Sequence, residues 1–159
     1  MRSRVAPIIF FVIFAIAGGI VTKIGFGIYQ NAKKSMEWPT VNGAVTSSEI
    51  ERNHSSGSGS SSTTYGADIA YDYQIKGETY SANKVSFGEY SSSDIGHARK
   101  IVNKYPVGKV VNVYYNPDDL YIAVLEPGIF WSSYIVFVLG LIFFSVGFFG
   151  AIGTLLFGH

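Results

Sequence analysis

Three histidines could act as bases or metal ligands: His54, His97 and His159. A metal site needs such residues spaced along one element, or a histidine beside carboxylates. Each histidine here stands alone and reads as an exposed side chain. Asp68 and Asp72 lie on one strand-like segment and are the one carboxylate pair that could divide acid and base roles. No nucleophile or partner base accompanies them. Asp118 and Asp119 follow Asn116-Pro117, which is turn chemistry, and the further spaced oxygens of a calcium loop are missing. Gly25-x-Gly27 and Gly57-x-Gly59 lack the strand-to-helix setting of a phosphate-binding loop. There is no Cys, which removes thiolate nucleophiles, disulfides and zinc–cysteine sites. The expectation is a chain that is not an enzyme, with no catalytic, metal-binding or cofactor-binding residue and no cofactor.

The elements that would position these residues follow from how residue types divide along the chain. Eleven of the twelve Phe lie in 5–28 or 129–157, while all eleven acidic residues lie between Glu37 and Glu126. Phe has no polar atom to satisfy and suits hydrocarbon, whereas carboxylates need water. Residues 5–22 carry no charge and, at ~1.5 Å per helical residue, extend ~27 Å, close to the thickness of a hydrocarbon core. Residues 129–157 are a second uncharged run, with Trp131 and Tyr134 placed as an interfacial belt. Two transmembrane helices, 1–30 and 129–157, are therefore expected around a soluble domain at 38–126. Ala15-Ile16-Ala17 has the form of a signal-peptidase site, but the apolar run continues through Val21, which favours an uncleaved signal anchor. Arg2, Arg4 and the amino terminus favour a cytoplasmic N-terminus, whereas Lys23, Lys33 and Lys34 oppose it. The balance taken is both ends inside and the middle outside.

Within the middle, β-branched residues at 40–51 predict a first strand. Residues 53–64, NHSSGSGSSSTT, read as a long, flexible hairpin loop. The alternation of Tyr65, Ala67, Ile69, Tyr71, Tyr73 and Ile75 predicts a half-buried strand over 65–76. That tyrosine stripe reads as core, with a stacking platform as the competing use. A third strand follows at 79–86. Ser91–Asp94 offers helix caps, and Ile95, Ala98, Ile101, Val102 and Tyr105 at helical spacing predict a helix over 92–104. Two more strands at 109–115 and 121–125 complete a β-β-β-α-β-β order. The fold class is thus membrane α plus a small β-rich domain. That domain is either an OB-like, partly open barrel or a five-stranded sheet with one helix.

The net charge of +1, with nine Lys/Arg against eleven Asp/Glu from Lys33 to Glu126, excludes a nucleic-acid partner. Two groups remain as candidate partner-binding residues: Ser58, Ser60 and Ser61 in the loop, and His97, Arg99 and Lys100 on the basic helix face. Anionic lipid head groups could meet that face, although a solvated helix face explains it as well. Gly18 and Gly19 in the first span, and Gly147, Gly150 and Ala151 in the second, form small-residue faces for helix packing, within one chain or in a homo-oligomer.

Trp38-x4-Gly43-x-Val45, Tyr71-x-Tyr73 with Gly77 and Tyr80, and Tyr105-Pro106-x-Gly108-x4-Val113-Tyr114-Tyr115-Asn116-Pro117 with Leu125-Glu126 resemble the bacterial domain-of-unknown-function family 3592. The resemblance implies a small bacterial membrane protein with a β-rich insert, and brings no activity with it. Together these readings give a non-enzymatic interaction protein of the cytoplasmic (inner) membrane, multi-pass, with its central domain outside the cytoplasm. Its partners would be the lipid bilayer and a protein, and toxin immunity is one specific form. The alternative is an accessory subunit of a membrane complex, bound through the transmembrane helices.

Overall fold

A computed structural model describes residues 5–57 and 60–157. Arg2, Arg4, Ser58 and His159 lie outside the described residues. The chain forms two compact units: α1 (Val5–Ser35) up to Asn31 with α3 (Trp131–Phe157) in one, and Ala32–Gly128, which includes the last turn of α1, in the other.

Both helices are long and apolar enough to cross a membrane, with mean hydropathy of 2.5 and 2.6 over their most apolar stretches. Ile9, Phe10, Ile16, Phe148 and Phe149 are exposed, so these helices do not find their apolar surroundings inside the protein. Small residues set their packing. A Cβ on Gly18 would overlap the backbone of Phe144, on Gly25 that of Phe137, on Gly140 that of Thr22, and on Gly147 that of Ala15. The partners rise along α1 as they fall along α3, so the helices pack antiparallel, backbone against backbone.

The second unit is a five-stranded antiparallel sheet in the order β3-β2-β1-β4-β5. Its strands are β1 (Thr40–Gly57), β2 (Ser60–Ile75), β3 (Glu78–Ala82), β4 (Val110–Asn116) and β5 (Asp119–Val124), with α2 (Ile95–Lys104) between β3 and β4. The central strand β1 pairs with both β2 and β4. Side chains bring the two edges together: the Tyr73 hydroxyl donates to the Leu120 carbonyl at 2.6 Å, and the Tyr80 and Tyr121 rings meet edge to face at 5.3 Å. The architecture is that of an open sheet curled toward a barrel, with one helix against it.

The inner face carries Val45, Ile69, Tyr71, Tyr73, Val111, Val113, Ala123 and Leu125, closed over by Val85 and Tyr105. Burying each of Val45, Ile69 and Val113 is worth about 1.5–3 kcal/mol. Ala98, Ile101 and Val102 give α2 its apolar side, and the Asp94 carboxylate caps its start by accepting from the Gly96 N–H at 2.8 Å.

Three segments depart from expectation. The Ser/Gly stretch at 53–64 is not a loose loop, because the β1–β2 ladder continues through Arg52–Tyr65 and His54–Thr63 to Gly57–Ser60. Register inherited from the packed part of the hairpin outweighs the low strand propensity of serine and glycine. The third strand ends at Ala82, because Val85 and Phe87 turn inward and the Val85 carbonyl accepts from the Leu125 and Glu126 N–H groups. The helix begins at Ile95, since Asp94, not Ser91 or Ser92, is its cap.

Two glycines shape the sheet. Gly108, at φ 81°, forms the turn before β4, and its N–H donates to the Val45 carbonyl at 2.8 Å. Gly43 sits where β1 is hemmed in on both sides. A Cβ there would lie 2.7 Å from both the Asp72 carbonyl oxygen and Val113 Cγ2. Gly43→Ala should therefore destabilise the domain by about 1–3 kcal/mol in chemical denaturation, the range for overpacked interiors. An unchanged midpoint would show that β1 and β2 can separate at no cost.

Candidate functional site

The candidate partner-binding residues divide between two elements. Ser61 lies in β2 and is exposed, opposite Ser56 of β1, and Ser60 begins β2 opposite Gly57. From Glu51 to Gly57 every β1 side chain is exposed, so the hairpin runs out as a two-stranded ribbon beyond the core. His54 Nδ1 and Thr63 Oγ1 lie 3.1 Å apart across it. The ribbon is tied down at its base, where Tyr65 and Ser92 exchange backbone hydrogen bonds of 2.7 and 3.0 Å. Beyond that base, neither strand is paired on its outer edge among the described residues.

Arg99 and Lys100 are exposed on α2, while His97 is half-buried and stacks on the Tyr90 ring at 4.3 Å. Lys104 shares that helix and forms an ion pair with Glu126 at 2.8 Å. No hydrogen bond or ion pair joins the ribbon serines to His97, Arg99 or Lys100 among the described residues. They are two separate surfaces.

The residues weighed for chemistry carry structural bonds. Asp72 accepts from the Ser81 hydroxyl at 2.6 Å. Asp68 stands opposite Glu49, four residues along the strand from Asp72, or ~13 Å at strand rise, so the two carboxylates do not meet. The Asn116 and Asp119 side chains accept from the Asp118 and Tyr121 N–H groups and shape the β4–β5 turn. Among the described residues, no three of His, Asp or Glu gather where a metal ion could be held.

Gly18, Gly147 and Gly150 all lie in the α1–α3 contact, Gly150 against the Phe11 ring. Gly19 faces only the Phe144 ring edge, at 3.7 Å, and Ala151 is half-buried. The sequence reading left out Gly25 and Gly140, whose seven-residue spacing from Gly18 and Gly147 is the signal that would have found them. It also left out Ser35, a fully buried hydroxyl that donates to the Ala32 carbonyl at 2.8 Å and accepts from the Gly128 N–H at 3.1 Å.

The motif residues Gly43, Tyr71, Tyr73, Gly108 and Glu126 all hold the sheet or its closure. A family profile for a domain of unknown function, DUF3592, matches residues 41–130. The chain belongs to that family. The match covers the β domain and stops short of both long helices. No curated protein matches the chain in sequence.

Three tyrosines of this domain, Tyr71, Tyr73 and Tyr105, are buried. Tyr71 donates to the Lys84 carbonyl at 2.8 Å and Tyr105 to the Glu126 carboxylate at 2.8 Å. Burial raises Tyr71 and Tyr105 well above the ordinary phenol range and pushes Tyr73 up to about 12. Burial of its carboxylate tip likewise raises Glu89, against the two backbone N–H groups of Val85 and Ser86 that it accepts from. The folded chain keeps its three phenol protons where the unfolded chain loses them, so their contribution is complete below about pH 10 and falls as pH rises further. Denaturation midpoints measured across that range should drop, with tyrosinate absorbance appearing on unfolding. Tyr71→Phe should make the fall shallower, and a slope that ignores the substitution would contradict this origin.

Proposed function

We propose that this chain is a membrane-anchored, non-catalytic interaction protein. α1 and α3 hold it in the cytoplasmic (inner) membrane of a bacterium as a multi-pass protein, and the β domain faces out of the cytoplasm. Its β1–β2 ribbon contacts a protein partner. The ribbon is the observation that carries this reading. It adds strand residues outside the core, exposed from Glu51 to Gly57 and at Ser61 and Ser62 and only half-buried at Thr63 and Thr64, and ordering residues with so little burial is unfavourable on its own. A contact surface recovers that cost on binding. Its free backbone edges, with no Lys, Pro or acidic residue between Asn53 and Gly57 or between Ser60 and Thr64, lack the usual devices that discourage strand pairing.

Binding rather than catalysis is also what the titratable side chains support. Asp94 caps α2, Asp72 holds Ser81, and His97 lies on Tyr90. The outward orientation rests on Arg2, Arg4 and the amino terminus. Toxin immunity is one form of this role, and no described residue speaks for it. The accessory-subunit reading relied on the small-residue faces, and Gly18, Gly147 and Gly150 are already occupied by contact between α1 and α3.

A photo-crosslinking residue placed at Ser55 or Ser62 should yield one discrete protein adduct in cells, and the same residue at Asn112 should not. Removing 53–64 should abolish co-purification of that same protein with the chain while the domain still folds. Adducts from α1 and α3 alone would overturn the reading in favour of a subunit held through its helices.

A further inference from the structure

We propose that the end of the β domain where the chain passes into its two long helices is a contact surface for anionic lipid, with Lys33, Lys34, Lys104 and Lys109 meeting bilayer phosphates. This inference rests on the membrane anchoring argued above.

Covalent connection places these lysines. Lys33 and Lys34 are in the last turn of α1 and are exposed, between the buried Ala32 and Ser35. The Ser35 hydroxyl holds the Gly128 N–H at 3.1 Å, three residues before α3 opens at Trp131. The two points where the chain leaves the domain are therefore one hydrogen bond apart. Whatever bilayer receives α1 and α3 begins within a few residues of both.

Glu126 brings the second pair of lysines to the same place. Its carboxylate accepts from Lys104 Nζ and from the Tyr105 hydroxyl, both at 2.8 Å. Lys109 Nζ in turn donates to the Lys104 carbonyl at 2.6 Å, and both ammonium groups lie within 5.5 Å of the Tyr105 ring centre. α2 is polarised in the same sense, with Asp94 at its start and Arg99, Lys100 and Lys104 toward its end. Its cationic end is the one held at the chain exit.

The charge at this end is left over. Lys104–Glu126 is the one ion pair among the described residues, so Lys33, Lys34 and Lys109 have no carboxylate within 4.0 Å. Glu37 is the acid nearest Lys33 and Lys34 in the chain, and the Glu89 carboxylate is taken up by the Val85 and Ser86 N–H groups. Glu49, Glu51, Asp68, Asp72 and Glu78 are spread over β1, β2 and β3, and Asp118 and Asp119 lie in the β4–β5 turn. Lysine ammonium groups on long flexible stems, next to apolar helices, are the side chains that reach anionic head groups.

The test uses the full chain in nanodiscs of phosphatidylcholine alone and of phosphatidylcholine mixed with phosphatidylglycerol. Amide hydrogen exchange at α2's last turn and through 105–109 should slow several-fold in the anionic discs, and high salt should reverse it. A Lys33→Gln, Lys34→Gln, Lys109→Gln variant leaves the Lys104–Glu126 pair intact and should lose the slowing, with unchanged exchange in β1 and β2 as the folding control. Equal exchange in the two disc types, or full slowing in the variant, would overturn the proposal. A chain that fails to enter either disc would instead overturn the anchoring on which it rests.

Discussion

One buried hydroxyl joins the two ends of the β domain. Ser35 sits in the last turn of α1, fully buried, and binds the Ala32 carbonyl and the Gly128 N–H at once. A chain that enters a domain from one helix and leaves into another must bring its ends together, and this bond does so across ninety-three residues of sequence. Its neighbours reinforce it. The Tyr115 N–H donates to the Pro39 carbonyl, Leu125 and Glu126 donate to Val85, and Trp38 packs edge to face on Phe87 at 5.6 Å. Together these contacts fix where the first and last strands stand. β1 can then lie in the middle of the sheet while β5 runs out toward the second helix.

The residues that mark the family build this arrangement. Gly43 allows the central strand to be approached from both sides, Gly108 turns the chain into β4, and Tyr105 with Glu126 fastens α2 to the closing strand. The part of the domain outside the core is the outer half of the β1–β2 hairpin, where no described side chain is fully buried. Membership of DUF3592 thus accounts for the scaffold, and the ribbon and the lysines at the chain exit are where this chain's own contacts with its surroundings are to be sought.

Much of the scaffold was legible because burial writes a period into the sequence. Tyr71 and Tyr73 alternate with Asp72 and Gln74, and Ala98, Ile101 and Val102 recur at helical spacing, so β2 and α2 follow from pattern alone. The ribbon was not legible, because Ser and Gly carry no period and their pairing is imposed by the register of the strands behind them. The shortened third strand was hidden for a related reason. Val85 and Phe87 alternate like strand residues, yet they are buried as a plug against the last strand. Ser35 with Gly128 and Lys104 with Glu126 are long-range pairs between ordinary polar residues, and no local spacing announces them. Asp68 and Asp72 erred in the other direction, since proximity in sequence on a strand separates side chains that would be neighbours on a helix.

The most direct measurement is the side of the membrane on which the ribbon lies. The chain has no Cys, so Ser61→Cys places one thiol on an exposed strand without background. In intact cells with a permeable outer layer, a membrane-impermeant maleimide should label it without lysis, and a thiol introduced near the amino terminus should stay unlabelled until the membrane is opened. Labelling of the ribbon only after lysis would place the β domain in the cytoplasm. Recovery of the unlysed chain in the soluble fraction would remove the membrane from the account altogether.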